Sequence, residues 1–452
     1  MELTVRPGGV ARGVVIPPGD KSIAHRRLIL AALANGPSRL EGLPASGDVV
    51  STALALATLL AELRPPLEGW ISESQRRLEG GGFTYDNPQP RVPELVLEGR
   101  GRRAIEPATD AIDCGNAGTA MRLLAGVLAS AEGTFRLTGD ASLQRRPMER
   151  VAVPLRRMGA DVTTADGHAP IVIRGGRLVG ARIDTGVPSA QVKGAVLLAG
   201  LDAEGVTEVV ESVPTRDHTE RLLTALGCPL RRFPGGAAVE RWEPPGHDGR
   251  IPGDTSGALF PIVAALASGG EVTIEEVGLN PTRTAYLEVL SRMGARIDMA
   301  VAGEDLGEPF GTVRATLAGD LRGTDVDAAD LPLLIDEVPG LAALAAVATG
   351  ASTFRGAGEL RTKESDRLAG IVTAIRALGG HARVEGDDLV VEGGGLSGGT
   401  VGSLGDHRLA MAFAAVAPAT GTGVRVRDAD VAAISYPGYA AMLRSLGLDV
   451  EG

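Results

Sequence analysis

The chain has 452 residues, room for two to four domains at a common size of roughly 100–200 residues each. Hydrophobic residues make up 44% and charged residues 22%, a globular balance, and the net charge is −11. An acidic chain with 3% aromatics lacks the basic surface and stacking rings that nucleic acid or an anionic membrane would need. The N-terminus MELTVRPGG has no apolar leader, and no run of about 18 apolar residues occurs, so a cytoplasmic protein is expected. Cys114 and Cys228 make no disulfide framework and no Cys/His spacing suits zinc, so neither a metal nor another cofactor is expected. Lysine occurs only at Lys21, Lys193 and Lys363 among 45 basic residues. An arginine-biased genome would give that ratio, yet each lysine lies in a dense polar segment, where a compact, rotatable ammonium does what a planar fork cannot.

In chain order, Pro18-Gly19-Asp20-Lys21-Ser22 sits between a strand-like run and an Ala/Leu-rich helix. Asp20 fits an N-cap, and Lys21, Ser22 and Arg26 are expected to reach the space above the helix start, where the macrodipole draws anions. The glycine spacing is not that of a Walker A loop. An apolar helix is expected over 52–63, and residues 64–104, rich in Pro, Gly and Arg, read as an enlarged hairpin. Asp113 to Arg122 is a small-residue turn in which Gly115 and Gly118 are expected to take unusual dihedrals and admit a ligand close to the backbone. Gln144 to Met148 reads as the end of a strand and the start of a helix, with paired Arg145 and Arg146 suited to carboxylate or phosphate. Ser189 to Lys193 opens a further helix with hydroxyl, amide and ammonium groups.

In the second half, Pro252-Gly253-Asp254-Thr255-Ser256 repeats the first motif. Leu334 to Pro339 sets Asp336 and Glu337 inside an apolar run, expected to raise a carboxyl pKa toward general-base duty. Lys363 and Arg367 are four apart, expected on one helix face with Glu364 adjacent. Gly405-Asp406-His407-Arg408 repeats the helix-start arrangement with a titratable histidine. His168, His247 and His381 read as solvated turn residues, and His218 as a cap or a site residue.

A helix ending in Leu/Ile-x-x-Met/Leu-Gly recurs at Gly159, Gly227, Gly294, Gly379 and Gly447, spaced 68, 67, 85 and 68 residues apart. Glycine there fits a left-handed residue just past a helix end, usually followed by a strand. Pro214-Thr215-Arg216 and Pro281-Thr282-Arg283 precede two of these helices, again 67 residues apart. With a degenerate sixth copy, the pattern predicts six alternating strand–helix units in two lobes. Many cations, several helix starts and a few carboxylates fit a polyanionic small molecule, or two anions side by side, undergoing group transfer.

The segments PGDKSIAHR (18–26), DCGNAGTAMRLLAG (113–126), LTGDASLQRRPMERV (137–151), PSAQVKGAVLLAGL (188–201) and TRDHTERLL (215–223) continue with IPGDTSGALF (251–260), LIDEVP (334–339), ELRTKESDR (359–367), DHRLAM (406–411) and SYPGY (435–439). In this order, and over nearly the whole chain, they resemble the EPSP synthase family of enolpyruvyl transferases. Those shikimate-pathway enzymes, which serve aromatic amino acid biosynthesis, join phosphoenolpyruvate to the 5-hydroxyl of shikimate 3-phosphate and release phosphate. The resemblance implies an α/β fold: a two-lobed inside-out α/β barrel of six βαβαββ-type units, three per lobe. It places the N-terminal lobe at 20–249, the C-terminal lobe at 1–19 plus 250–452, and hinges near 18–21 and 248–252.

Carried over by motif, Lys21, Ser22, Arg26, Ser189, Ala190, Gln191, Thr215, Asp336 and Lys363 would contact shikimate 3-phosphate. Lys21, Gly118, Arg146, Gln191, Arg367 and Arg408 would contact phosphoenolpyruvate. Asp336 would take the 5-hydroxyl proton, while Glu364, helped by Lys21, would protonate the enolpyruvyl methylene; a tetrahedral ketal then loses phosphate. No cofactor is implied, a monomer is expected, and glyphosate is a candidate inhibitor. Three positions depart from some relatives: Ile434 stands where they carry Lys, Glu359 where they carry Asn, and Leu123 where they carry Pro. The related UDP-N-acetylglucosamine enolpyruvyl transferases typically show Lys-Asn at the first motif and a reactive Cys in a mobile loop. Here the pair is Lys21-Ser22, and Cys114 lies in the Gly-rich turn.

Overall fold

Six helices are buried on nearly every face, so they can only be packed inside: Lys21–Ala32, Gly118–Leu128, Ala190–Gly200, Thr255–Ser268, Val338–Val347 and His407–Ala415. In the computed structural model, which describes residues 1–79 and 93–452, these helices divide between two separate hydrophobic cores. One core collects residues from Ile23 to Ile251; the other joins Leu3, Val5, Ala11 and Val15 to residues from Ala258 to Val450. Each core therefore belongs to its own lobe, with three helices inside and three small sheets outside.

One unit shows how the chain builds this. Ile112–Asp113, Gly118–Leu128, Gly133–Thr138, Glu149–Arg157, Asp161–Ala165 and His168–Gly175 run in βαβαββ order, interrupted only by the one-turn helix Ala141–Gln144, and the four strands form one sheet. The first helix is an inner one; the second lies outside it and keeps one polar face. All five recurrent glycines close outer helices, with φ between 85° and 104°. The left-handed residue there lets the chain reverse into the next strand, so this repeat marks the outer layer.

The chain crosses between the lobes twice. Arg12–Val15 pairs in parallel with Glu271–Gly278 of the second lobe, after which the chain crosses into the Lys21–Ala32 helix of the first. Asp248–Arg250 pairs in parallel with Asn35–Glu41 of the first lobe, after which the chain crosses back into Thr255–Ser268. The two crossing segments touch at an antiparallel bridge between Gly19 and Gly253.

Inner helices approach closely where glycine permits. A Cβ on Gly126 would sit 2.1 Å from the backbone oxygen of Ala195 on the neighbouring inner helix. Backbone cannot move aside as a side-chain end can, so Gly126→Ala is expected to destabilise the protein by about 1–3 kcal/mol, the usual range for overpacking. Denaturant unfolding checks this; an unchanged midpoint would show that the two helices can separate freely.

Two expectations about this region need correction. The apolar helix covers Gly47–Leu59, not 52–63. Residues 64–104 are not simply a hairpin: Asn35–Glu41 and Leu95–Arg100 do pair antiparallel, but a helix, Arg64–Glu79, is inserted between them. Pro65 and Pro66 occupy its first turn, where proline is tolerated, and Leu67, Trp70, Ile71 and Ser74 make a buried stripe at helical spacing. The remainder of that stretch, 80–92, lies outside the described residues. No helix among the described residues is long and apolar enough to cross a membrane.

Candidate active site

The first turns of all six inner helices, or the residues just before them, meet in one cleft between the lobes, about 1020 Å³ counted out to where it opens to solvent. Lys21 and Ser22, Gly118 and Thr119, and Ser189 to Gln191 come from the first lobe; Asp254, Asp336 and Arg408 come from the second. The exposed N–H groups and dipoles of six helix starts make this a strong anion site before any side-chain charge is counted. Four starts are fixed by their own N-caps: Asp20 accepts from Ile23 N, Ser189 from Val192 N, Asp254 from Ser256 N and Asp406 from Arg408 N.

At the back of the cleft, which it helps to line, one buried arginine ties the two crossing segments together. Arg283 pairs with Asp20 at 3.1 Å and with Asp254 at 3.4 Å, and donates to Ser256 Oγ at 2.7 Å. Its Nη1 also lies 3.2 Å from His218 Nε2, leaving His218 Nδ1 to donate to Glu308 at 2.7 Å. Burial alone would raise the Asp20 pKa, but Arg283 and its neighbours hold it at about 2. His218 is thus a structural link between the lobes.

Cations crowd the cleft. Arg146 lies 3.6 Å from Glu364 and donates to Asn116 Oδ1 at 2.6 Å. Arg122 donates to Gln191 Oε1, whose amide in turn donates to Thr119 Oγ1 at 2.8 Å. Burial, with the repulsion of Arg150 and Arg146, pulls the Arg122 pKa down to about 9. Arg216 meets Asp336 at 2.7 Å, and Arg408 donates to the Asp336 carbonyl at 3.0 Å. Arg367 holds both candidate catalytic carboxylates, Asp336 at 3.1 Å and Glu364 at 2.5 Å, and is itself backed by Asp406 at 2.7 Å.

Of the residues singled out in the sequence, Lys21, Ser22, Gly118, Arg146, Ser189, Ala190, Gln191, Thr215, Asp336, Lys363, Glu364 and Arg408 line the cleft. Arg26 and Arg367 stand behind its wall. Arg26 reaches back toward the helix start, donating to Ser22 O at 2.8 Å, Thr219 Oγ1 at 2.7 Å and Ala190 O at 3.3 Å, directly behind two residues that line the cleft. Lys193 also turns inward, to Glu211 and Glu220 at 2.8 and 2.7 Å. Two of the three lysines therefore face the cleft.

Several local expectations change. Gly118 has an ordinary backbone; it is small because a Cβ would sit 3.1 and 3.2 Å from the Arg146 and Arg122 guanidinium nitrogens. Gly115 does take φ +54°. Gln144 ends a short helix, Ala141–Gln144, not a strand, and Arg145 is exposed while Arg146 is buried, so the two do not act as a pair. Lys363 follows a 3₁₀ turn, Ala357–Thr362, and the next helix starts at Arg367, so these two share no helix face.

The Asp336 pKa moves opposite to the sequence expectation: burial raises it, but Arg216, Arg408, Lys363 and Arg367 outweigh burial and hold it well below the carboxylate range. Burial likewise raises Glu364, and Arg367, Arg146 and Lys21 more than reverse it. His407 is fully enclosed among cations, and burial with Lys21 and Arg408 keeps it neutral, so it is not a titratable group near pH 7. His247 is buried, not solvated, and His168 and His381 begin strands. Ile434 lies over Gly47 and not in the cleft lining.

Arg216, Arg122 and Arg150 line the cleft without having been singled out. A signal for Arg216 was present: Thr215-Arg216 and Thr282-Arg283 are equivalent positions in the repeat. Both arginines bind carboxylates of the other lobe or of the crossing segments.

The sequence model of the family described as EPSP synthase (3-phosphoshikimate 1-carboxyvinyltransferase) matches residues 5–79 and 90–443. The chain belongs to the EPSP synthase family. Among curated relatives, a Thermus thermophilus protein named 3-phosphoshikimate 1-carboxyvinyltransferase is 48% identical over 440 residues, 96% of each chain. One of the same name from Acidithiobacillus ferrooxidans is 42% identical over 449 residues, 99% of this chain and 98% of the relative. Among solved structures, EPSP synthase from Acinetobacter baumannii superposes over 100% of both chains with a TM-score of 0.80 at 32% identity. The enolpyruvyl transferase NikO from Streptomyces tendae shares the fold, with a TM-score of 0.71 at 20% identity, over 100% of this chain and 98% of its own. The fold expected from the resemblance, a two-lobed α/β enolpyruvyl transferase, is the fold found.

Proposed function

We propose that the cleft transfers the enolpyruvyl group of phosphoenolpyruvate to the 5-hydroxyl of shikimate 3-phosphate, and that Asp336 and Glu364 move the protons. The observation that carries this is one buried guanidinium, Arg367, gripping both carboxylates at the point where six helix starts converge. Two anionic substrates need such a concentration of positive charge, and the proton transfers need two acid–base groups within reach of the reacting atoms.

In this reading the lobes divide at 20–249 and at 1–19 plus 250–452, with the crossings near 18–21 and 248–252 as hinges. Lys21, Ser22, Ser189, Ala190, Gln191, Thr215 and Lys363 hold shikimate 3-phosphate, joined by Arg216. Arg26 contributes by fixing Ser22. Lys21, Gly118, Arg146, Gln191 and Arg408 hold phosphoenolpyruvate, and Arg367 fixes the carboxylates beside it.

Asp336 takes the 5-hydroxyl proton as that oxygen bonds to the central carbon of phosphoenolpyruvate; Glu364 delivers a proton to the methylene carbon. The tetrahedral ketal returns the methyl proton to Glu364 as the C–O bond to phosphate breaks. The phosphate leaves with the proton that Asp336 took up. The cations neutralise charge that is present throughout, so their work is positioning and preorganisation. Glyphosate, itself anionic, would compete for the phosphoenolpyruvate cations. In this reading the protein acts as a cytoplasmic monomer.

The test is phosphate release from purified protein given phosphoenolpyruvate with either shikimate 3-phosphate or UDP-N-acetylglucosamine. Release only with the shikimate ester is expected. A folded protein that binds shikimate 3-phosphate but releases no phosphate with either acceptor would overturn the transferase reading.

A further inference from the structure

The two lobes are joined by ion pairs in three places: at the crossings, inside the cleft (Arg216 with Asp336, Arg146 with Glu364) and at the opposite rim. At the crossings the pairs of Arg283 with Asp20 and Asp254 and of His218 with Glu308 are enclosed, and the fully buried Arg27 meets the partly exposed Asp305 at 2.8 Å; only Arg250–Glu276 lies out in solvent. Separating the enclosed charges would strand them without water or partner, so these contacts stay made whatever the lobes do. At the opposite rim, the 142–150 segment of the first lobe faces the 359–364 segment of the second. Ser142 Oγ donates to the Glu364 carbonyl at 2.8 Å, and Arg150 pairs with Glu359 at 2.7 Å. Arg150 is 16% and Glu359 38% exposed at the side chain, against 2% for Arg283. Water reaches the rim pair, so its opening and closing is inexpensive.

We propose that Arg150 and Glu359 are positioning residues that latch the rim over the two bound anions, while the buried pairs at the crossings act as the pivot. The latch holds Glu364, five residues beyond Glu359 in the same segment, against Arg146 on the facing lobe. It also supplies a carboxylate beside Arg122 and Arg150, two cations that otherwise repel. Neither latch residue reacts; both act by keeping Glu364 in register with the substrate. The inference rests on the transferase reading of the same cleft.

The experiment is a double-mutant cycle on phosphate release, with Arg150→Gln, Glu359→Gln, the two combined, and the charge reversal Arg150→Glu/Glu359→Arg. Each single variant is expected to raise the KM for phosphoenolpyruvate about fivefold, the upper end for a partly exposed pair, with kcat changed less. The double variant is expected to be no worse than either single, and the reversal to return within about twofold of the starting protein. Small-angle scattering is expected to show full compaction on adding both substrates only where the pair is intact or reversed.

Additive single effects would overturn the latch, as would a reversal that folds but does not recover. If the reversal fails to fold, the glutamine cycle alone decides. A starting protein that releases no phosphate would overturn the transferase reading instead, and compaction by the two anions across the cycle would still decide the latch.

Discussion

Asp336→Asn is expected to lower kcat about 10³-fold, within the range for losing a positioned acid–base group, while shikimate 3-phosphate binds at least as tightly as before. The two halves of that expectation come from one geometry. Asp336 is the negative centre for Arg216, Arg367, Arg408 and Lys363, all within its electrostatic reach. Asparagine keeps the shape and can still accept a hydrogen bond, but it cannot take the 5-hydroxyl proton. It also frees charge on cations that then face the substrate phosphate. Steady-state kinetics together with equilibrium binding of shikimate 3-phosphate separates the effects. A kcat within tenfold of the starting protein would remove Asp336 from the role of base.

The parts of this protein legible in its sequence are those set by local backbone chemistry. Each of the five recurrent glycines closes an outer helix in a left-handed conformation, as the spacing implies. Asp20 and Asp254 each cap an inner helix, so the repeated Pro-Gly-Asp motif does report two equivalent helix starts. The helix Arg64–Glu79 was concealed by its composition, because two prolines in a first turn look like a loop until the buried stripe behind them is noticed.

What the sequence could not show is which way a charged side chain turns. Arg26 and Lys193 sit in the most anion-friendly segments, yet both turn back into their own lobe. The apolar run around Asp336 suggests a raised pKa, since neighbours in sequence report burial alone. The arginines that reverse the shift come from positions 216, 367 and 408, far along the chain. Arg216 and Arg283 are the instructive pair: the repeat makes them equivalent, but only the tertiary arrangement shows that both line the cleft, one on Asp336 and the other on the crossing segments.

The same electrostatics poses a problem for Glu364, and its resolution gives the second large expected effect. In the free protein Arg367, Arg146 and Lys21 overcome burial and keep this carboxyl ionised at neutral pH, with no proton to give the methylene carbon. Phosphoenolpyruvate brings negative charge to two of those cations, Arg146 and Lys21. With their pull offset and the substrate's own negative charge close by, the Glu364 pKa moves upward, and the group is expected to take a proton as the substrate enters. By linkage, a site whose pKa rises on binding must bind its ligand more tightly as pH falls toward the raised value, with net proton uptake.

Calorimetry in two buffers of different ionisation enthalpy reads that uptake directly. The Asp336→Asn variant, saturated with shikimate 3-phosphate, is titrated with phosphoenolpyruvate at pH 7. Uptake is expected there and is expected to vanish when Glu364→Gln is added. On its own, Glu364→Gln is expected to lower kcat about 10³-fold, because a neutral amide cannot deliver the proton. If no proton is taken up, or if uptake persists without Glu364, the acid is some other group. Glu364 would then serve only to hold Arg146 and Arg367 apart.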